Sequence, residues 1–269
     1  MRRTMMTTLS ALALATTLGA CGSSPEQSAQ SDNNDDQQSS SDAALQDVSA
    51  LVSQASTTMD SKKTVTMKVS IEGGAMQGSP AAGLQNQTCR ADLNNAKMAC
   101  EGAGESVFTE DAVYMKMPGQ GQSGKPWMKQ DLNSSQISDS MGQLGKTMQF
   151  SNIESILPAG SEITDQQQVQ LNGQQATRYD VTTDLQKAAA EAEGVQKKSS
   201  EMLINAGVTE TEKTVWVDSN NLLMKVENVT PAMKIAGQQV PETTQTVTYS
   251  DWGEPVDITV PPASKVSEF

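Results

Sequence analysis

The sequence predicts an α+β fold in which helices pack against one face of a large, curved, antiparallel sheet. Short segments alternate apolar with polar residues, as half-buried strands do. Their connections are mostly hairpin-length and carry turn residues. Regions of helical period interrupt the strands without forming a repeated strand–helix–strand pattern.

The elements follow in order. Leu45, Val48, Val52, Ala55 and Met59 recur at helical spacing, which predicts an amphipathic helix over 43–59 capped by Ser41 or Asp42. Val65, Met67, Val69 and Ile71 then alternate with Thr66, Lys68 and Ser70, a one-sided strand. A Gly/Ala/Pro loop over 73–83 leads to a segment holding Cys89 and Cys100. Residues 107–109 and 112–117 read as a hairpin around Glu110-Asp111, with Val113, Met115 and Met117 on one face. Trp127-Met128-Lys129 reads as a short strand. Ile137, Met141, Leu144 and Met148 mark a helical region over 133–157, closed by Pro158. Asn172-Gly173 centres a hairpin over 168–181, because both residues accept the positive φ of a two-residue turn. Residues 185–206 are helical with a break at Gly194, and 214–217 with 222–229 form another hairpin. Strands at 243–249 and 256–260 finish the sheet.

The two cysteines set a register of their own. If Asn94-Asn95 centres the turn, Leu93 meets Ala96, Asp92 meets Lys97, Ala91 meets Met98 and Cys89 meets Cys100. Opposed residues lie within disulfide reach. One face then carries an Asp92–Lys97 ion pair, and the other carries the cysteines with Leu93, Ala96 and Met98. A Cys89–Cys100 disulfide follows, stapling a hairpin in an oxidising compartment. Cys-x-x-Cys spacing, the mark of redox catalysis, is absent.

Export is written at the start. Arg2 and Arg3 precede an apolar run from Leu9 to Leu18, too short for a membrane-spanning helix, and Leu18-Gly19-Ala20-Cys21 follows. That is a lipobox. It predicts a signal peptide over 1–20 and a diacylglycerol thioether on Cys21. Several acyl chains on one residue anchor stably. Residues 22–42 are rich in Ser, Gln, Asp and Asn with no basic residue, which predicts a disordered tether to a single domain over 43–269. The location implied is the extracytoplasmic face of the cell membrane.

Composition narrows the function. Cleavage removes Arg2 and Arg3 from a chain of net charge −13, leaving −15, which disfavours nucleic acid and anionic headgroup surfaces. The chain has no histidine, so the usual Ser–His and Cys–His pairs and most zinc sites are out of reach. No carboxylate pair stands out by spacing, and no catalytic residue, metal or cofactor is assigned. Nine aromatic residues against fifteen methionines leave the interior to Val, Leu, Ile, Ala and Met.

The tail carries a resemblance. Thr246-Val247-Thr248-Tyr249-Ser250-Asp251-Trp252-Gly253-Glu254-Pro255-Val256-Asp257-Ile258, ending at Pro261-Pro262-Ala263-Ser264-Lys265-Val266, resembles the C-terminal signature of the LppX/LprG family of actinobacterial envelope lipoproteins and their LolA-like relatives. Val215-Trp216-Val217-Asp218 and the lipobox–tether–helix–strand opening resemble them too. The resemblance implies a half-barrel sheet, helices over its concave face, and an apolar cavity between them for the acyl chains of lipids or glycolipids. Candidate cavity residues are Val65, Met67, Val69, Ile71, Val113, Met115, Met117, Met141, Leu144 and Met148. The chain departs from the family at 185–206 and around Pro231–Pro241. Trp252-Gly253-Glu254-Pro255 is read as a packed turn rather than a binding motif.

The expected function is therefore non-catalytic carriage or presentation of envelope lipid, with an envelope transporter as a partner. The alternative is an envelope module with a closed core that binds a protein or a cation through its acidic surface. Replacing Cys21 by Ala should release the processed protein from membranes and leave the melting curve of its domain unchanged. Sedimentation with membranes after detergent-free washing, with the signal cleaved, would contradict the anchor.

Overall fold

The computed structural model describes residues 45–73, 86–116, 124–132, 153–235 and 237–268. All of them belong to one unit, Ala43–Phe269. Helix α1 (Val48–Lys62) leads into β1 (Thr64–Gly73), followed by β2 (Gln87–Asp92), β3 (Lys97–Glu101), β4 (Glu105–Phe108), β5 (Ala112–Lys116) and β6 (Trp127–Asp131). A single turn, α2 (Ile153–Ile156), precedes β7 (Ser161–Leu171) and β8 (Gln174–Asp184). Then come α3 (Leu185–Glu191), α4 (Gly194–Asn205), β9 (Glu210–Asp218) and β10 (Leu223–Thr230). Strands β11 (Met233–Ile235), β12 (Gln238–Val240), β13 (Thr243–Ser250) and β14 (Val266–Glu268) complete the chain.

Among the described residues, twelve strands form one open sheet in the order β14-β6-β5-β4-β3-β2-β1-β13-β10-β9-β8-β7, and β11 pairs with β12 in a separate two-stranded sheet. The main sheet is antiparallel except at its edge, where β14 runs parallel to β6. The alternation at 256–260 does not make a ladder strand. Those residues lie in the connection from β13, inside the sheet, to β14 at the far edge. Seven interstrand steps span about 34 Å, within reach of a largely extended connection of this length.

Local chemistry accounts for the hairpins. Asn172 and Gly173 take φ of 52° and 80°, the two positive values that a type I′ turn requires. In the cysteine hairpin, Asp92 opposes Lys97, Ala91 opposes Met98, and Cys89 opposes Cys100, to which it is disulfide-bonded. Two details differ from expectation. The positive φ falls on Ala96 rather than on the asparagines. The Asp92 carboxylate accepts from the Asn95 backbone and side-chain amides, at 3.1 and 2.7 Å, instead of pairing with Lys97. Those bonds, the Asn95 side chain first, hold its carboxyl below the usual range, with Lys97 adding a weaker pull.

Helix α1 starts later than its periodicity suggested. Asp47 caps it, accepting from the Ser49 backbone N–H at 2.8 Å, and Leu45 precedes it. Its buried stripe is Leu51, Ala55 and Met59, and Leu51 lies outside the predicted series. Lys63, in the left-handed region, turns the chain directly into β1. The helical segment after β8 breaks as expected near Gly194, into α3 and α4.

One apolar cluster unites α1 and α2 with the inward face of β1–β5, β8–β10 and β13. A second gathers Leu185, Val208 and Met233, with Leu203, Ile204, Ala206 and Val240 around them. The segments 185–206 and 231–241, both marked in the sequence as departures, thus pack on each other. Leu51→Ala should lower stability by about 2–5 kcal/mol, because Leu51 is fully buried at the centre of the α1 contact. Chemical denaturation reads this directly; a loss below about 1 kcal/mol would mean that α1 is not a core element.

Candidate functional site

The inward face of the sheet is the site, and its register can be followed strand by strand. One row of opposed residues runs Gln166, Tyr179, Val215, Val226, Val247 and Val69. Four of these, Val215, Val226, Val247 and Val69, are buried valines. Helix α1 crosses this region. At its start, Gln46 donates its backbone N–H to Gln166 Oε1 at 3.1 Å and accepts from the Tyr179 hydroxyl at 2.8 Å, fixing that end over β7 and β8. At its other end Lys63 joins β1. Fifteen helical residues extend about 22 Å, and the four interstrand steps from β8 to β1 cover about 19 Å, so α1 lies across that half of the sheet.

The apolar face continues past α1 onto the other half. Ala91, Met98, Phe108 and Val113 are buried there, and Met115 is part-buried against the same cluster. Met115 opposes Ser106 on β4 and Met128 on β6. Of the expected cavity residues, Val65, Met67, Val69 and Val113 are buried in the cluster shared with α1, while Ile71 and Met115 lie part-buried at its border. Met117, Met141, Leu144 and Met148 fall outside the described residues, as does Cys21.

The tail from Tyr249 to Glu254 makes a structural clasp. Trp252 Nε1 donates to the Leu223 carbonyl at 2.9 Å and its ring stacks on buried Tyr249, centroids 6.0 Å apart. Gly253, at φ 81°, donates its N–H to the Thr64 carbonyl, and Thr64 Oγ1 donates to the Glu254 carbonyl. These bonds tie β13 to β10 and to the start of β1, as a packed turn would.

Sequence reasoning missed Lys213. Thr211, Lys213, Val215 and Val217 alternate to one face, and Thr211, Val215 and Val217 are buried there. The signal lies in that alternation, but the sequence-predicted strand begins at Thr214, four residues after β9 does and just past Lys213. Lys213 Nζ donates to the Ile156 carbonyl at 2.7 Å, at the end of α2. No carboxylate pairs with it among the described residues. Removal from water lowers its pKa to about 8. Among the described residues no group of acidic, Cys or His side chains could hold a metal ion, and no helix is long and apolar enough to cross a membrane.

An open α+β sheet with one continuous apolar face and helices upon it is the class of fold defined here. Similar solved structures include the lipoprotein LppX from Mycobacterium tuberculosis, 15% identical, covering 79% of this chain and 98% of its own, with a TM-score of 0.47. LprF from Mycobacterium bovis is 12% identical, covering 79% and 97%, with a TM-score of 0.45. A LolA superfamily protein from Nitrosomonas europaea is 7% identical, covering 77% and 93%, with a TM-score of 0.25. No family model matches the chain, and no curated protein matches its sequence.

Lys213 makes stability depend on pH in a definite direction. Its pKa of about 8 in the fold lies below the ordinary 10.5, so between these values the unfolded chain binds more protons. Its contribution to stability therefore rises from about pH 8 to pH 10.5. Over that window the stability difference between wild type and Lys213→Met should move toward the wild type. A flat difference in paired denaturation curves would mean that the amine is hydrated.

Proposed function

We propose that this protein is a non-catalytic envelope lipoprotein that holds the acyl chains of lipids or glycolipids against the apolar face of its sheet, for carriage or presentation. In this reading Cys21 carries the lipid anchor on the extracytoplasmic face of the cell membrane. Residues 22–42 are the tether, 43–269 the binding domain, and an envelope transporter the partner that loads or unloads it.

The observation that supports the reading is the division of the inward face. Helix α1 lies over the β8-to-β1 half, and apolar side chains continue beyond it on β2–β5. A saturated chain laid there gains about 0.8 kcal/mol per buried methylene, so ten methylenes contribute about 8 kcal/mol. That is of the size needed to offset the several kcal/mol lost on association. The apolar lining includes Met98 and Met115, whose unbranched, polarisable side chains adapt to a flexible ligand. The tail resemblance and the lipobox point the same way.

Met115→Trp separates an occupied cleft from a closed core. In a packed core the larger ring costs about 1–3 kcal/mol by overfilling. In a lipid cleft it takes up ligand space, so co-purified lipid should fall severalfold while the melting temperature hardly moves. A large loss of stability in a protein that never carried lipid would reject the carrier and favour the closed-core module.

A further inference from the structure

The inward face changes character along the strands, not only across them. Next to the row of buried valines lies a row of opposed residues running Ile163, Val181, Lys213, Asn228, Gln245 and Ile71. Lys213, Asn228, Gln245 and Ile71 are all part-exposed, in contrast to the four buried valines beside them. One step further the face is hydroxylic: Ser161 opposes Thr183, Thr183 opposes Thr211, and Thr230 opposes Thr243. Thr183 and Thr211 are buried, and Ser161 and Thr183 share a hydrogen bond of 2.9 Å. Apolar, amide–ammonium and hydroxyl rows thus follow one another within two steps of the pleat.

Three polar side chains sit abreast in the middle row. Directly opposed residues have Cβ atoms about 4.5–5.5 Å apart, so the Lys213, Asn228 and Gln245 side chains rise from neighbouring strands onto one face. The Lys213 ammonium has three donors, and the Ile156 carbonyl takes one of them. No hydrogen bond to the Asn228 or Gln245 side-chain amides is present among the described residues. Gln245 opposes Ile71, the outermost apolar residue of β1, so the polar set meets the apolar face at that point.

We infer that Lys213, Asn228 and Gln245 form a headgroup subsite on the inward face that selects lipids with an anionic oxygen, a carboxylate or a phosphate, over neutral lipids with the same chain. The inference rests on the lipid-binding reading and assigns its ligand class. An ammonium with no carboxylate partner in a low-dielectric face gains from a bound anion, which supplies the missing counter-charge. Two neighbouring amides add donors to the remaining lone pairs of the anion. A protein with such an acidic surface repels anions at long range, so this inward lysine acts at contact rather than by steering.

The test compares cis-parinaric acid with its methyl ester, two fluorescent probes with the same chain and different charge. The domain without its anchor is titrated with each. The wild type should bind the acid at least about tenfold more tightly than the ester. Lys213→Met should erase that preference while ester affinity stays within about twofold. Asn228→Leu, which leaves the Lys213–Ile156 bond in place, should reduce the preference without erasing it. A wild-type ratio near one overturns the subsite even if Lys213→Met fails to fold, and so does a folded Lys213→Met that keeps the ratio; ester binding then still upholds the lipid cleft. If excess inorganic phosphate abolishes the preference in the wild type, the site takes a free anion and the headgroup assignment falls. If neither probe binds, the lipid-binding reading fails, and the subsite with it.

Discussion

The fold depends on one seam. Strand β1 pairs with β2 on one side and with β13 on the other, the latter through eight opposed pairs from Thr66–Ser250 to Gly73–Thr243. On one side of the seam the strands run β14-β6-β5-β4-β3-β2-β1, and on the other β13-β10-β9-β8-β7. Each half is mostly built from neighbours in sequence. The seam joins residues nearly the whole domain apart, so its closure costs chain entropy that no local turn offsets. The Trp252 clasp sits at the end of the seam, bonding β10 and the start of β1 through one turn. Without that pairing two smaller sheets would each expose an apolar face.

The seam also sets where a ligand could lie. Helix α1 is connected to β1 through the single residue Lys63, and its far end is bonded to Gln166 and Tyr179. It can only lie across the β8-to-β1 half. The apolar face on β2–β5 extends beyond it, stapled by Cys89–Cys100 at the hairpin next to β1. Separately, the rows from Val69 to Gly73 turn the face from apolar to polar along β1 and its neighbours. On the proposed reading an amphiphile would meet both changes, its chain on the apolar face of β2–β5 beyond α1 and its head on the row that holds Lys213.

What could be read from the sequence was local. Asn172-Gly173 determines its hairpin by backbone conformation alone, and the Cys89–Cys100 register follows from counting outward from one turn. Alternation placed Val65, Met67 and Val69 together on one face of β1. The rest depends on distant partners. The one-sided pattern at 256–260 gives no sign that the chain is crossing toward a parallel pairing with β6. The Asp47 cap and Leu51 were displaced by reading the helix from Leu45, whose side chain is 48% exposed. Lys213 escaped notice because a lysine at a strand start looks solvated. Its alternation with Val215 and Val217 places it on their face once the strand is extended back to Glu210. The packing of 185–206 against 231–241 has no periodic signature, since it joins two segments across β9 and β10.

The central claim is that the inward face carries lipid. Native mass spectrometry of the domain purified from its own envelope, made without the Cys21 anchor, tests it most directly. A substantial fraction of molecules should carry one acyl lipid that denaturation releases and that accurate mass identifies. A domain that is folded, monodisperse and free of lipid, both as purified and after incubation with envelope lipid extract, would contradict the account.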